Sequence, residues 1–285
     1  MKLSLVVPCY NEEQNIAPLF EKIQGEFQNK IDSYELVFVN DGSTDGTLDA
    51  LKQLCDATEI PVKIVNFSRN FGKEAAIFAG LKNASGDLIS LIDADLQQDP
   101  AYVVKMVQYL DEHSDCDCVA AFQEKRHESA FRTFCKKRFY HIINKMSDTE
   151  FVDGASDFRT FRSTMKDAIL EMSEYHRFSK GIFSWVGFNT YYMPYDADER
   201  LSGTSKWSFK KLCQYAIDGI VAFTTVPLKI STSIGFLTSL ASLIYIIIVI
   251  IEKLAFGIAV PGYATIVVLI LFLGGLQLLE STVNI

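Results

Sequence analysis

Two carboxylates one residue apart, Asp93 and Asp95, close a short apolar run, Asp87-Leu88-Ile89-Ser90-Leu91-Ile92. A strand that ends in such a pair delivers it to the edge where open α/β sheets bind ligands. With one residue between them the two side chains diverge. One can then hold a divalent cation while the other reaches a sugar or ribose hydroxyl. Mg2+ is typically held by one or two carboxylates plus substrate phosphates. A polar loop that merely caps the next helix is the blander alternative, and it suits Asp99 before Pro100. Asp41 ends a second apolar run, Tyr34 to Asn40, ahead of Gly42-Ser43-Thr44-Asp45-Gly46-Thr47. Capping explains Ser43, Thr44 and Asp45, with Ser43 or Thr44 as the cap and Gly42 allowing a tight turn. It does not explain Asp41.

Elements that would carry these acids follow in order. Leu3 to Val7 is a continuous apolar run, as in a strand buried on both faces. Asn11 and Glu12-Glu13 open a helix to about Phe27, where N-capping is their plainest role. Tyr34 to Asn40 reads as a strand, then a helix runs to about Cys55. Pro61 to Asn66 is a third strand. Ser68-Arg69-Asn70-Phe71-Gly72-Lys73 leads into a helix over Gly72 to Ala84. Leu88 to Ile92 is the fourth strand, Ala101 to His113 a helix, and Asp117 to Phe122 another strand. Strand and helix alternate, which predicts parallel strands, right-handed crossovers and helices on both faces of a sheet. No Gly-x-Gly-x-x-Gly follows the first strand and no Walker lysine motif occurs, so ordinary dinucleotide and P-loop sites are excluded. Phosphates must then be met by a metal rather than by a glycine loop.

The chain has 285 residues, 49% of them hydrophobic, and the apolar ones concentrate after Lys229. Ser231 to Ile251 and Pro261 to Leu279 carry no charge. Each is about long enough to cross a hydrocarbon core of ~30 Å. A link containing Glu252 and Lys253 joins them, so a transmembrane helical hairpin is expected, both ends on one side. Lys206, Lys210, Lys211 and Lys229 precede it, which by the positive-inside rule puts the soluble part in the cytoplasm. The formal net charge of −8 argues against a nucleic-acid partner. Met1-Lys2 runs straight into the first strand, so no signal peptide is expected. The six cysteines lack zinc spacing and read as reduced thiols. Ser129 to Met146 is basic and aromatic, and suits a membrane surface or a solvated face equally. The expected organisation is a domain over 1–205, a juxtamembrane amphipathic helix over 206–230 and two spans over 231–285.

Three ordered motifs, Val6-Val7-Pro8-Cys9-Tyr10-Asn11-Glu12, Val39-Asn40-Asp41-Gly42-Ser43-Thr44-Asp45-Gly46-Thr47 and Asp93-Ala94-Asp95-Leu96-Gln97, resemble the family-2 glycosyltransferases. Among these the chain is most similar to the polyprenyl-phosphate hexosyltransferases, such as dolichol-phosphate mannose synthase and the bacterial bactoprenol glucosyltransferases. The resemblance covers nearly the whole chain. It implies an α/β fold of the glycosyltransferase A type, a mostly parallel sheet flanked by helices. It also implies inverting transfer of a hexose from a nucleotide-diphosphate sugar, UDP-glucose favoured, to undecaprenyl phosphate at the cytoplasmic face of a cell membrane. Mg2+ or Mn2+ is the implied cofactor. Implied partners are the lipid bilayer, a homo-oligomer (a tetramer), a flippase and a downstream glycosyltransferase.

Site roles follow from the same resemblance. Pro8, Tyr10, Glu12, Val39 and Ala94 would line the donor pocket, and Asp41 would read the base. Asp93 would lie near ribose and metal, with Asp95 and Gln97 on the metal. Gly154-Ala155-Ser156-Asp157-Phe158-Arg159 resembles the segment near the acceptor, where Asp157 would orient or deprotonate it. On the residues alone, Asp157 could equally pair with Arg159 or Arg162. Arg200 and Lys206, in Glu199-Arg200-Leu201-Ser202-Gly203-Thr204-Ser205-Lys206-Trp207, would close on the donor diphosphate. The family usually has an Arg where this chain has Gln123; Lys125, Arg126 or Arg132 would then meet the acceptor phosphate. Family members also usually continue past the second span with a charged tail, whereas here Glu280-Ser281-Thr282-Val283-Asn284-Ile285 ends the sequence. Two rivals remain. One is a processive polysaccharide synthase, whose Gln-x-x-Arg-Trp run is missing; the other is an inactive membrane scaffold.

Overall fold

The computed structural model describes residues 1–122, 154–172, 179–195, 226–257 and 262–283, together with positions 138 and 144. The chain divides into two compact units, Met1–Ala222 and Phe223–Ile285.

The first unit is built on a seven-stranded sheet. Its strands are β1 (Lys2–Cys9), β2 (Ser33–Asn40), β3 (Val62–Asn66), β4 (Leu88–Leu91), β5 (Cys118–Phe122), β6 (Ala155–Arg162) and β7 (Thr190–Pro194). They lie in the order β3-β2-β1-β4-β6-β5-β7. All pair in parallel except β6, which runs antiparallel to both β4 and β5. The helices are α1 (Glu13–Phe27), α2 (Thr47–Ala57), α3 (Lys73–Asn83), α4 (Ala101–Glu112), α5 (Ser163–Glu171) and α6 (Ser179–Trp185). The expected alternation of strand and helix is present from β1 through β5.

Period-two alternation assigns each strand face to a layer. Leu3, Leu5, Val7 and Cys9 of β1, with Leu36 and Phe38 of β2, pack with Ile16, Leu19, Ile23 and Phe27 of α1 and with Val103, Met106 and Leu110 of α4. Val6 and Val39 face the opposite layer, where α3 lies across the sheet. There Gly80 lets the helix come close: a Cβ at Gly80 would stand 2.3 Å from Val6 Cγ1. Asp99 accepts the Ala101 amide at 2.9 Å and so caps α4 as expected.

The loops after β1 and β2 differ from the simple capping expectation. Neither α1 nor α2 has a side-chain cap from its own Ncap residue. Ser43 and Thr44 instead join the two loops to each other. Asn11 N donates to Ser43 Oγ at 2.9 Å, and Thr44 N to Asn11 Oδ1 at 2.8 Å. Asp45 serves the start of α2, accepting the Thr47 amide at 3.1 Å and the Thr47 hydroxyl at 2.5 Å. Those bonds hold its carboxyl below the usual range despite burial.

The second unit holds two helices, α7 (Val226–Phe256) and α8 (Tyr263–Val283), which pack against each other. Phe236, Leu237, Ile247 and Ile251 of α7 are all exposed. Among the described residues one helix is long and apolar enough to cross a membrane, over Lys229–Glu252. In α8 the apolar stretch spans Thr265–Gly274, shorter than a crossing. The expected second span over Pro261 to Leu279 is therefore only partly matched. Beyond positions 138 and 144, the basic segment over 129–146 lies outside the described residues, as do Gln123 and positions 206–225 of the juxtamembrane helix expected over 206–230, whose last positions, 226–230, already belong to α7.

Candidate active site

The parallel strands β1, β2 and β4 all end on one edge of the sheet. Their last residues, Cys9, Asn40 and Leu91, hand the chain to loops that carry the candidate acids. Because β6 is antiparallel, its first residues reach the same edge. Leu91 pairs with Arg159 in the β4–β6 ladder. Extending that register by two residues sets Asp93 opposite Asp157. The reversed strand is thus what brings two acids 64 positions apart in sequence to one place.

Asp93 is held from two sides. Gln98 makes a reciprocal pair with it: the Asp93 amide donates to Gln98 Oε1 at 2.8 Å, and Gln98 Nε2 donates to Asp93 Oδ2 at 3.1 Å. Lys73, the first residue of α3, places Nζ 2.7 Å from Asp93 Oδ1 and 2.9 Å from Oδ2. The same ammonium lies 3.2 Å from Asp157 Oδ2. Burial alone would lower the Lys73 pKa, but the two carboxylates outweigh it and push the ammonium well above its usual value. Lys73 is therefore charged at any working pH.

Asp157 does not pair with Arg159 or Arg162 as its simplest reading had it. The Arg159 guanidinium turns back to the Ser156 carbonyl at 2.7 Å and stacks on the Phe183 ring, 3.8 Å from its centroid. Arg162 donates to the carbonyls of Cys116 and Leu110 at 3.0 and 2.7 Å. Both arginines are engaged there, and Lys73 is an ion-pair partner of Asp157.

Asp95 accepts the Gln97 amide at 3.2 Å, a tight turn closed on its own side chain. Between them Leu96 has φ +62° and is buried. A left-handed leucine costs roughly 1–2 kcal/mol. That strain is held by the apolar contacts of Leu96 in the core under α4. The residues that the resemblance assigns to a metal, Asp93, Asp95 and Gln97, would offer oxygen alone, and among the described residues no three His, Cys, Asp or Glu are placed so that they could hold a metal ion. So few protein ligands fit Mg2+ or Mn2+ completed by substrate phosphates, and do not fit a structural zinc site.

Pro8 and Val39 stand opposite each other in the β1–β2 register. Glu12 follows in the β1–α1 loop, where its carboxylate accepts from Asn15 Nδ2 at 2.6 Å. Ala94 is buried. Asp41 has a role that its sequence position did not reveal. Its carboxylate accepts the Phe71 amide at 2.7 Å and the Gly72 amide at 3.0 Å, and so fastens the loop entering α3. Burial raises the Asp41 pKa, and these two amides oppose the rise. Gly42, at φ +63°, lies so near the Arg69–Asn70 backbone that a Cβ would stand 2.2 Å from the Arg69 carbonyl carbon. On this pinned loop Arg69 stacks over the exposed Phe71 ring at 4.2 Å.

Arg200, Lys206, Lys125, Arg126 and Arg132 lie outside the described residues. Lys73, Gln98 and Glu74 are the residues that the motif spacing missed. Glu74 accepts the Ser179 amide at 2.9 Å and a close bond from the Ser179 hydroxyl, which ties α3 to α6. A sequence signal for Lys73 did exist. It is a cation in the first turn of a helix, where the macrodipole disfavours one, so an acidic partner was to be expected.

The model for glycosyl transferase family 2 matches residues 4–169. The chain belongs to that family. As a family-2 glycosyltransferase it is an enzyme, and its sheet and flanking helices are those of the glycosyltransferase A fold. The chain is 40% identical over 284 residues to the prophage bactoprenol glucosyl transferase homolog of Escherichia coli, covering 98% of this chain and 90% of that one. It is also 40% identical over 283 residues to the bactoprenol glucosyl transferase of Shigella phage SfV, with the same coverage of both chains. Among solved structures it resembles the Pyrobaculum calidifontis mannosyltransferase PcManGT in complex with GDP-Man and Mn2+. That match has a TM-score of 0.55 and 19% identity, and covers 76% of this chain and 62% of that one.

Proposed function

We propose that this glycosyltransferase moves a hexose, with glucose from UDP-glucose favoured, onto a polyprenyl phosphate at the cytoplasmic face of a membrane, with inversion. Relatives named bactoprenol glucosyl transferases, alike along 98% of the chain, support the acceptor class. The observation that carries the reading is the meeting of Asp93, Asp157 and Lys73 at the sheet edge where Asp95 also lies. It sets a metal-type carboxylate pair beside a third acid on the reversed strand.

In the proposed reaction an oxygen of the lipid phosphate forms a bond to the anomeric carbon. The bond from that carbon to the β-phosphate oxygen breaks, and the nucleoside diphosphate leaves with its electron pair. Asp93, Asp95 and Gln97 would hold Mg2+ or Mn2+, which when bound neutralises charge on the departing diphosphate. Pro8, Tyr10, Glu12 and Val39 would line the nucleoside site, with Asp41 beside it. A phosphomonoester has its second pKa at about 6 and is mostly a dianion at neutral pH. It therefore needs little help from a base, and Asp157 serves chiefly to orient. Arg200 and Lys206 would add positive charge at the diphosphate, and Lys125, Arg126 or Arg132 would meet the acceptor phosphate.

The domain over 1–205 would face the cytoplasm, joined through an amphipathic helix over 206–230 to two spans over 231–285. A homo-oligomer, a flippase and a downstream glycosyltransferase belong to the same reading. A panel of nucleotide sugars offered with undecaprenyl phosphate tests the substrates, with hexosyl-lipid from UDP-glucose expected above all others. Equal transfer from every donor, or transfer only to a growing polysaccharide, would reject it. A single cysteine placed near Glu252 tests the topology: labelling from outside intact cells is expected, and labelling only after permeabilisation would refute two spans.

A further inference from the structure

Lys73 is a cation built into the carboxylate cluster. Its Nζ lies within 2.9 Å of both Asp93 oxygens and 3.2 Å from Asp157 Oδ2. No exposed, wandering lysine makes three such contacts. Its backbone opens α3, and the next residue, Glu74, is locked onto Ser179 at the start of α6. Two residues earlier, Phe71 is fixed by Asp41. The ammonium therefore projects from a turn fastened on both sides. About 36% of its side chain is exposed, so it borders the open site rather than the core.

We propose that Lys73 is a positioning residue that joins the donor-side acid Asp93 to the acceptor-side acid Asp157, and that it holds Asp93 in place of a divalent cation until donor arrives. Two consequences follow, resting on the proposed transfer reaction. First, Asp157 keeps its orientation through Lys73, and the ammonium offsets the charge that would repel an incoming phosphate dianion. Secondly, a tethered ammonium competes with a free metal ion for the Asp93 oxygens. Metal bound to a nucleotide brings extra phosphate ligands and wins that competition, whereas bare metal does not. The site would thus load metal together with donor.

The test uses the full-length protein in detergent, with Lys73→Met, Lys73→Arg and the double variant Lys73→Met with Asp157→Asn. Misplacing a reacting group by about 1 Å costs on the order of a hundredfold in rate. Lys73→Met should therefore lower kcat by about a hundredfold, with the donor KM changed less than about threefold. Lys73→Arg, a fork able to span two carboxylates, should recover at least tenfold of that, on the order expected for a retained charge pair. The double variant should be no slower than Lys73→Met alone, because Lys73 acts through Asp157. Mn2+ binding to the donor-free protein, read by electron paramagnetic resonance, should tighten by about tenfold in Lys73→Met once the competing charge is gone. A merely structural lysine would not tighten it. Unchanged Mn2+ binding, or a raised donor KM at wild-type kcat, overturns the proposal. Wild-type protein that makes no hexosyl-lipid would instead overturn the transfer reaction, and the Mn2+ titration would still decide the bridge.

Discussion

Removing the carboxylate at Asp41 should free the loop that leads into α3, before any nucleotide is present. The two loop amides at Phe71 and Gly72 donate to Asp41 at 2.7 and 3.0 Å, and Asp41 itself is 4% exposed. A hydrogen bond to a charged group contributes about 1.5–3 kcal/mol. Two of them give roughly 3–6 kcal/mol, less whatever water recovers at the partly exposed amides, so about 2–4 kcal/mol is expected for Asp41→Ala. Each 1.4 kcal/mol is a factor of about ten. Amide hydrogen exchange on a peptide spanning Phe71 and Gly72 should therefore quicken by thirtyfold or more in the variant, with the β1 and β4 peptides unchanged. Asp41→Asn keeps one acceptor oxygen and should fall about midway. If Asp41 serves only to read a base, exchange in the nucleotide-free variant will match wild type, and the loop-pinning role is wrong.

Three further outcomes are expected. Glu35 accepts from Lys2, Ser4 and Ser85, and although burial opposes it these bonds lower its pKa from 4.5 to about 2. Its stabilising contribution is full above 4.5, falls as pH drops toward 2 and is worth on the order of 2–3 kcal/mol; Glu35→Gln should flatten the pH 6 to pH 3 fall in unfolding midpoint, and an undiminished fall would contradict the network. Gly42→Ala should destabilise by at least about 2 kcal/mol, because the added carbon meets backbone at a positive φ, and a wild-type unfolding midpoint would argue against that close approach. Arg200→Ala should cut kcat by about ten- to a hundredfold and raise the donor KM less; near wild-type kcat in detergent would rule out a diphosphate clamp.

The first five strands and their order of appearance were legible because each apolar run ends in polar residues that cannot continue it, whereas β6 and β7, with polar residues throughout, were not read as strands. Asp93 and Asp95 announced themselves in the same way. What the sequence withheld was pairing across distance. Nothing local says that β6 turns against β4, and that reversal alone brings Asp157 to Asp93. Arg159 stands two residues from Asp157 and looked like its natural partner, but a buried guanidinium spends itself on a backbone carbonyl and an aromatic ring. Ser43 and Thr44 resemble caps because a hydroxyl can bond any nearby amide. Their actual partner is Asn11, 32 and 33 positions away. Asp41 was legible as an acid at a strand end, yet its work on Phe71 and Gly72 depended on the return path of the β3–α3 loop.

Metal-dependent transfer of a hexose to a lipid phosphate is proposed to run through the Asp93–Asp95 pair. The most direct test is the rate of hexosyl-polyprenyl-phosphate formation by the purified full chain with UDP-glucose and undecaprenyl phosphate. It would be measured with Mn2+, with EDTA, and in Asp95→Asn at saturating donor. Rapid transfer is expected with Mn2+ and nearly none in either of the other two, with Asp95→Asn still folded by its thermal midpoint. Unchanged turnover in EDTA or in Asp95→Asn would contradict it.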